Sequence, residues 1–167
     1  TYGFIVKNEY CTEKNWDIIS KYCPIDVIME HISDANASFD MVTLSAKLPI
    51  SFIIANCARY EWNMNVVMSR SDITTEQAQE LMLCDSNSNI EWDWEIIKPF
   101  LDINFVLSNI EHLHVDFYNL TAWLPIEHYN LIVDNPRKNW NWLFFVNNSN
   151  TDLIVNHIEQ LKSYVGI

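Results

Sequence analysis

Six times along the chain a large apolar residue is followed by Asp or Asn and then by a second apolar residue: Trp16-Asp17-Ile18, Phe39-Asp40-Met41, Trp62-Asn63-Met64, Trp92-Asp93-Trp94, Val115-Asp116-Phe117 and Trp140-Asn141-Trp142. The polar positions lie 23, 23, 30, 23 and 25 residues apart. Self-similarity at such a spacing marks a repeat array. A second polar position comes 11 residues after the first, at Ser51, Thr74, Asn104, Glu127 and Asp152. The first repeat is read as two residues shorter, with Asp26 at nine. Ile25, Ile50, Ile73, Ile103 and Ile126 precede this position, with Thr151 as the departure. A short polar side chain ahead of a periodic apolar run predicts a helix N-cap, and the preceding Ile a hydrophobic staple.

Apolar residues then fall two, three and six positions on, as in Ile28, Met29 and Ile32 or Val106, Leu107 and Ile110. That spacing forms one helix face. Repeat three departs with Glu76 and Gln77, so its second helix is expected to be shifted or partly exposed. Pro24, Pro49 and Pro125 stand two residues before the expected caps, where no helix continues through them.

The first half of each repeat carries two periods. Trp140, Trp142, Phe144 and Val146 alternate as a strand would, but Leu44, Val67, Ile97, Leu120 and Phe145 each fall four residues after the Asp or Asn. With the apolar residue at offset one, that is helical spacing, and Asp or Asn is a good N-cap. Only two Gly in the chain argue against tight β-turns. The expected fold is therefore all-α: an α-solenoid of six short helix-turn-helix repeats with a period of about 23 residues. The repeats lie near 15–37, 38–60, 61–90, 91–113, 114–138 and 139–162 of a single domain 1–167. Residues 1–14 are expected to form a cap or partial repeat, the polar run 83–89 a surface loop, and 157–167 the end of the last helix.

Trp92-Asp93-Trp94, Asn135-Pro136-Arg137-Lys138-Asn139-Trp140-Asn141-Trp142 and Met68-Ser69-Arg70-Ser71-Asp72-Ile73-Thr74 resemble the tandem repeats of giant, nucleocytoplasmic large DNA viruses. Those repeats combine a Trp-x-Trp start, a Leu-Ser-x-Asn element and an Ile-Thr helix start. The similarity covers residues 15–160, and repeats one, two, three and five lack the double tryptophan. The resemblance implies a viral protein in the host cytoplasm or the virion, and it brings no catalytic residue with it.

Composition narrows the function classes. Asp and Glu outnumber Lys and Arg 22 to 10, a net charge of −12, so docking to phosphate backbones or anionic lipid is not expected. No apolar run reaches the ~18 to 20 residues of a membrane span. The N-terminal residues lack a basic n-region and a cleavage site, so secretion is not expected, and the missing initiator Met suggests a processed chain or a fragment. Cys11, Cys23, Cys57 and Cys84 include no Cys-x-x-Cys pair and are expected to be buried free thiols. The glycosylation triplets at Asn36, Asn119 and Asn147 are taken as chance among 19 Asn.

Candidate chemistry is sparse. Trp16, Trp62, Trp92 and Trp140 could stack bases, but recurrence at one repeat position fits a core contact better, and Phe39 and Val115 substitute there. Glu111-His112-Leu113-His114-Val115-Asp116 holds a His-x-His without a second ligand cluster, so no metal or other cofactor is expected. Glu95 and Lys98 read as a solvated pair. His128 and His157 are assigned to second helices, and Trp123 lies outside the repeated position. One column resists dismissal: His31, Asn56, Gln79, Asn109 and His157 fall five residues after the second polar position, Ile132 being the exception. Such a polar ladder either satisfies backbone groups and helix ends or receives an extended peptide. The expected function is a non-enzymatic scaffold for a viral or host protein. The alternatives are an accessory domain of an enzyme whose active residues lie elsewhere, or nucleic-acid binding through the tryptophans.

Overall fold

The computed structural model describes residues 16–34, 37–84, 90 and 92–165. Among them every regular element is helical, thirteen short α-helices and two 3-10 turns. Contacts divide the chain into two compact units, Thr1–Asn87 and Ser88–Ile167. The division falls inside the polar run expected as a loop, of which 85–89 lie outside the described residues, as do 1–14 expected as a cap.

The first unit contains α1 (Trp16–Tyr22), α2 (Ile25–His31), α3 (Met41–Lys47), α4 (Ile50–Ala55), α5 (Met64–Met68) and α6 (Thr75–Met82). Helix α1 packs on α3, α3 on α5, and α4 on α6. The second unit contains α7 (Trp94–Ile97), α8 (Ile103–Asn109), α9 (Phe117–Trp123), α10 (Asn130–Asp134), α11 (Trp142–Asn148), α12 (Thr151–Asn156) and α13 (Ile158–Val165). Here α9 packs on α11, and α13 on both α11 and α12.

The first-helix starts follow the sequence pattern. Asp40, Asn63, Asp93, Asp116 and Asn141 are N-caps whose side chains accept from backbone N–H groups in the first turn, satisfying donors with no intrahelical partner. Leu44, Val67, Ile97, Leu120 and Phe145, four residues on, are all completely buried. Two of these helices stop directly before a proline. Leu48 and Leu124 precede Pro49 and Pro125 and are extended, at ψ 153° and 133°, because the proline ring excludes the α region for the residue before it.

Two expectations of register need correction. Asp17 is not an N-cap; it lies within the first turn of α1. The second-helix caps also lie earlier than the sequence suggested. They are Pro24, Pro49, Asp102, Pro125 and Asn150, two residues before Asp26, Ser51, Asn104, Glu127 and Asp152, and only Thr74 stands as expected. The proline caps offer no side-chain bond, whereas Thr74 forms a full capping box with Gln77. Counted from these caps, the fourth residue on is buried at Ile28, Ile53, Ala78, Val106 and Tyr129 and half-buried at Ile154. The second helix of repeat three is shifted as expected, its cap Thr74 lying 11 residues after Asn63 where the other caps lie nine after Asp40, Asp93, Asp116 and Asn141, and Glu76 and Gln77 are not core positions.

Three further differences concern covalent linkage and helix ends. Cys57 and Cys84, expected as free thiols, form a disulfide across a sequence separation of 27, tying the chain after α4 to the chain after α6. Cys23 is buried and free as expected. Residues 157–165 do not complete the preceding helix: His157 ends α12, and α13 turns back onto α11, stacking Tyr164 on Trp142 at 5.1 Å.

Candidate functional site

The recurrent polar groups bind one repeat to the next. Ser20, Ser45 and Thr121 are the buried polar side chains of the described core, each with no exposure. Each hydroxyl donates to the carbonyl four residues back and accepts a backbone N–H from the following first-helix cap. Ser20 Oγ bonds Trp16 O and Asp40 N at 2.7 and 3.0 Å. Ser45 Oγ bonds Met41 O and Asn63 N at 2.7 and 2.8 Å. Thr121 Oγ1 bonds Phe117 O and Asn141 N at 2.8 and 2.9 Å. Matching Ser20 to Ser45 aligns Trp16 with Met41, so the first repeat is not shortened. Lys98 holds this position in repeat four and pairs with Glu95 instead, at 3.2 Å and in solvent.

Cations make a second link. Lys47 Nζ donates to Ser20 O and Cys23 O, and Arg70 Nη1 to Ser45 O and Leu48 O, so each satisfies carbonyls at the C-terminal end of the preceding first helix. Arg70 is held in place by a two-pronged pair with Asp72, which lowers the Asp72 pKa through that hydrogen bond. Neither link was singled out from the sequence. A hydroxyl five residues after both Asp40 and Asp116, and a cation seven after both Asp40 and Asn63, were the available signals.

The tryptophans are core groups. Trp16, Trp62, Trp92 and Trp140 are 8%, 7%, 8% and 3% exposed. The indole N–H of Trp62 donates to Asn56 O at 3.0 Å and that of Trp140 to Asn135 O at 2.7 Å. Both acceptors are C-cap residues of the preceding second-position helices, α4 and α10.

The ladder residues are half-buried, and all but Gln79 sit at the C-terminal ends of their helices. Asn56 and Asn109 donate to the carbonyls of Phe52 and Phe105, and His157 Nδ1 bonds the Leu153 carbonyl, each four residues back on its own helix. His31 pairs with Asp34 at 2.8 Å. Gln79 lies in α6, five residues after its N-cap, whereas the other four lie seven after theirs. Asn135, which the pattern omitted, makes the same bond to Leu131 O. Elsewhere, His112 is exposed while Leu113 beside it is buried. His128 lies in the 3-10 turn Ile126–His128. Among the described residues no three His, Cys, Asp or Glu side chains form a group able to hold a metal.

A surface cleft of about 500 Å³ opens in the second unit, lined by Ile90, Trp92, Leu113, His114, Val115, Asp116, Phe117 and Lys138. Its apolar floor is Leu113, Val115 and Phe117, all buried. Lys138 Nζ lies 4.9 Å from the Phe117 ring centroid and donates to Glu111 O at 3.3 Å. Asp116, on the exposed rim, accepts from Tyr118 N and Asn119 Nδ2. Trp92 differs from its counterparts: its buried indole nitrogen has no hydrogen-bond partner among the described residues. Its sequence spacing differs too. Trp62 and Trp140 follow the C-cap residues Asn56 and Asn135 by six and five positions, whereas Trp92 follows Leu83, the C-cap of α6, by nine.

No family, curated protein or solved structure matches this chain. Among the described residues no helix is long and apolar enough to cross a membrane.

Proposed function

We propose that the chain is a non-enzymatic interaction scaffold, a six-repeat α-solenoid that presents its outer helix positions to a protein partner. The observation that carries this reading is the repeated bridge from Ser20 to Asp40, Ser45 to Asn63 and Thr121 to Asn141. Groups used once per repeat to join neighbours suit a stacked array, in which each unit is stabilised by the next. The series of contacts through α1, α3 and α5, and through α9, α11 and α13, supports the same reading. The inner aromatic positions are occupied by packing, while Val42, Tyr118 and Leu143 stand more than half exposed two residues after their caps. Those side chains are available to a partner, Val42 in the first unit and Tyr118 and Leu143 in the second.

Buried tryptophan rings leave no open face for base stacking, which weighs against the nucleic-acid alternative. The resemblance to giant-virus repeats suggests a virion component or a host-factor adaptor, located in the virion or the host cytoplasm. Affinity capture from infected-cell lysate should recover one protein at near-equimolar yield. Recovery of none, with hydrolase activity in the same purified preparation, would overturn the scaffold reading.

A further inference from the structure

We infer that Ser33 is a phosphorylation site whose phosphoryl group is received by Arg59 and Tyr60 of the following repeat. Ser33 lies exposed in the turn after α2. Its Oγ accepts from Arg59 Nη2 at 3.1 Å and lies 3.2 Å from the Tyr60 hydroxyl. The Arg59 guanidinium rests on the Tyr60 ring, 5.3 Å from its centroid, so the cation and the phenol are presented side by side. A phosphoserine carries nearly two negative charges and three acceptor oxygens, and a guanidinium already in reach makes charge-assisted bonds to it.

Other hydroxyls have the opposite surroundings. Ser69 and Ser149 donate to carbonyl oxygens four residues back, and Thr43 donates to the Asp40 carboxylate. A phosphoryl group at any of these meets acceptors, which repel it. Ser33 Oγ meets a guanidinium and a phenol instead, and a cleft of about 510 Å³ lined by Ser33, Arg59 and Tyr60 leaves room for the added group. Two carboxylates share that lining. Asp34 is engaged by His31 Nδ1 at 2.8 Å, and Glu61 is exposed, where water and salt screen it.

The modifying step is transfer from a nucleoside triphosphate by a protein kinase. The Ser33 Oγ–P bond forms, the bond from the γ-phosphorus to its bridging oxygen breaks, and nucleoside diphosphate leaves; the hydroxyl proton passes to the kinase's general base. The phosphate then ties the turn after α2 to the segment after α4, tightening repeat one on repeat two whatever partner the scaffold takes.

The whole chain, incubated with eukaryotic cytoplasmic extract and ATP, should yield on peptide mapping by mass spectrometry a phosphoryl group on Ser33. Its absence from Ser33 overturns the inference. Phosphoserine installed at position 33 during synthesis should raise Tm by about 2 to 4 °C over the unmodified chain. Arg59→Gln should remove most of that rise, and Arg59 is exposed, so the substitution leaves the fold itself intact. No rise with phosphoserine, or an equal rise in Arg59→Gln, would also overturn it.

Discussion

Ser45 Oγ joins two repeats by accepting the backbone N–H of Asn63 at 2.8 Å while donating to Met41 O within its own helix. Ser45 is completely buried, so no water can replace it as acceptor. Ser45→Ala should therefore cost about 1 to 2 kcal/mol, the penalty of leaving a buried donor unmatched. Urea unfolding of the two proteins measures this, and Ser45→Thr should lose less because Thr121 fills the same role at its own position. A neutral alanine variant would show that the bridge contributes nothing.

Arg70 and Asp72 share a close ion pair, yet removing one should matter more than removing the other. Arg70 also holds two carbonyls at the end of α3, and its side chain is 13% exposed against 62% for Asp72. Arg70→Met should destabilise by about 1 to 3 kcal/mol through stranded carbonyls, and Asp72→Asn by less than about 1 kcal/mol, as for exposed pairs. Thermal melts in low and high salt separate the two, because only the Asp72 contribution is screened.

The Cys57–Cys84 disulfide closes a loop across a separation of 27 residues. Chain-entropy estimates for loops of that size give about 3 to 4 kcal/mol of stabilisation. Cys57→Ser with Cys84→Ser should lower stability by that order, and a reducing agent should lower the wild-type midpoint but leave the double variant unchanged. Equal response of the two proteins to reductant would refute the linkage.

The Thr43 hydroxyl beside Asp40, with the backbone N–H groups of Thr43 and Val42, lowers the pKa of the Asp40 carboxyl. A carboxylate with a depressed folded pKa stabilises the fold above its unfolded pKa, ~3.9, and loses that stabilisation as pH falls through the folded value. Stability should thus decline on acidification below about pH 4. Asp40→Asn keeps a capping oxygen but cannot titrate, so its decline should be shallower. Parallel acid-unfolding curves for the two proteins would exclude Asp40 as a contributor.

The helical class and the first-helix caps were legible because both depend on local features. Asp40, Asn63, Asp93, Asp116 and Asn141 each accept bonds from N–H groups two or three residues away, and the residue four positions on must face the core. Three of the five misplaced second-helix caps are prolines, which mark a boundary without a side-chain signal: Pro24, Pro49 and Pro125 occupy the N-cap position that Asp26, Ser51 and Glu127 were expected to hold, while Asp102 and Asn150 cap with their side chains two residues before Asn104 and Asp152. The ladder spacing carried the same offset, which is why Gln79 fell into line with residues that occupy a different helix position.

The sequence by itself determined the helical class and five of the six first-helix starts, since caps and amphipathic spacing act over one or two turns. Only tertiary structure decided that Ser20, Ser45 and Thr121 reach the next repeat, that Cys57 meets Cys84, and that Trp92 lacks the carbonyl its counterparts have. Those outcomes depend on which backbone groups come within about 3 Å across separations of some 20 residues or more. A hydroxyl in a helix reads alike whether it faces solvent or a neighbouring N–H; the packing of one helix on another assigns its partner.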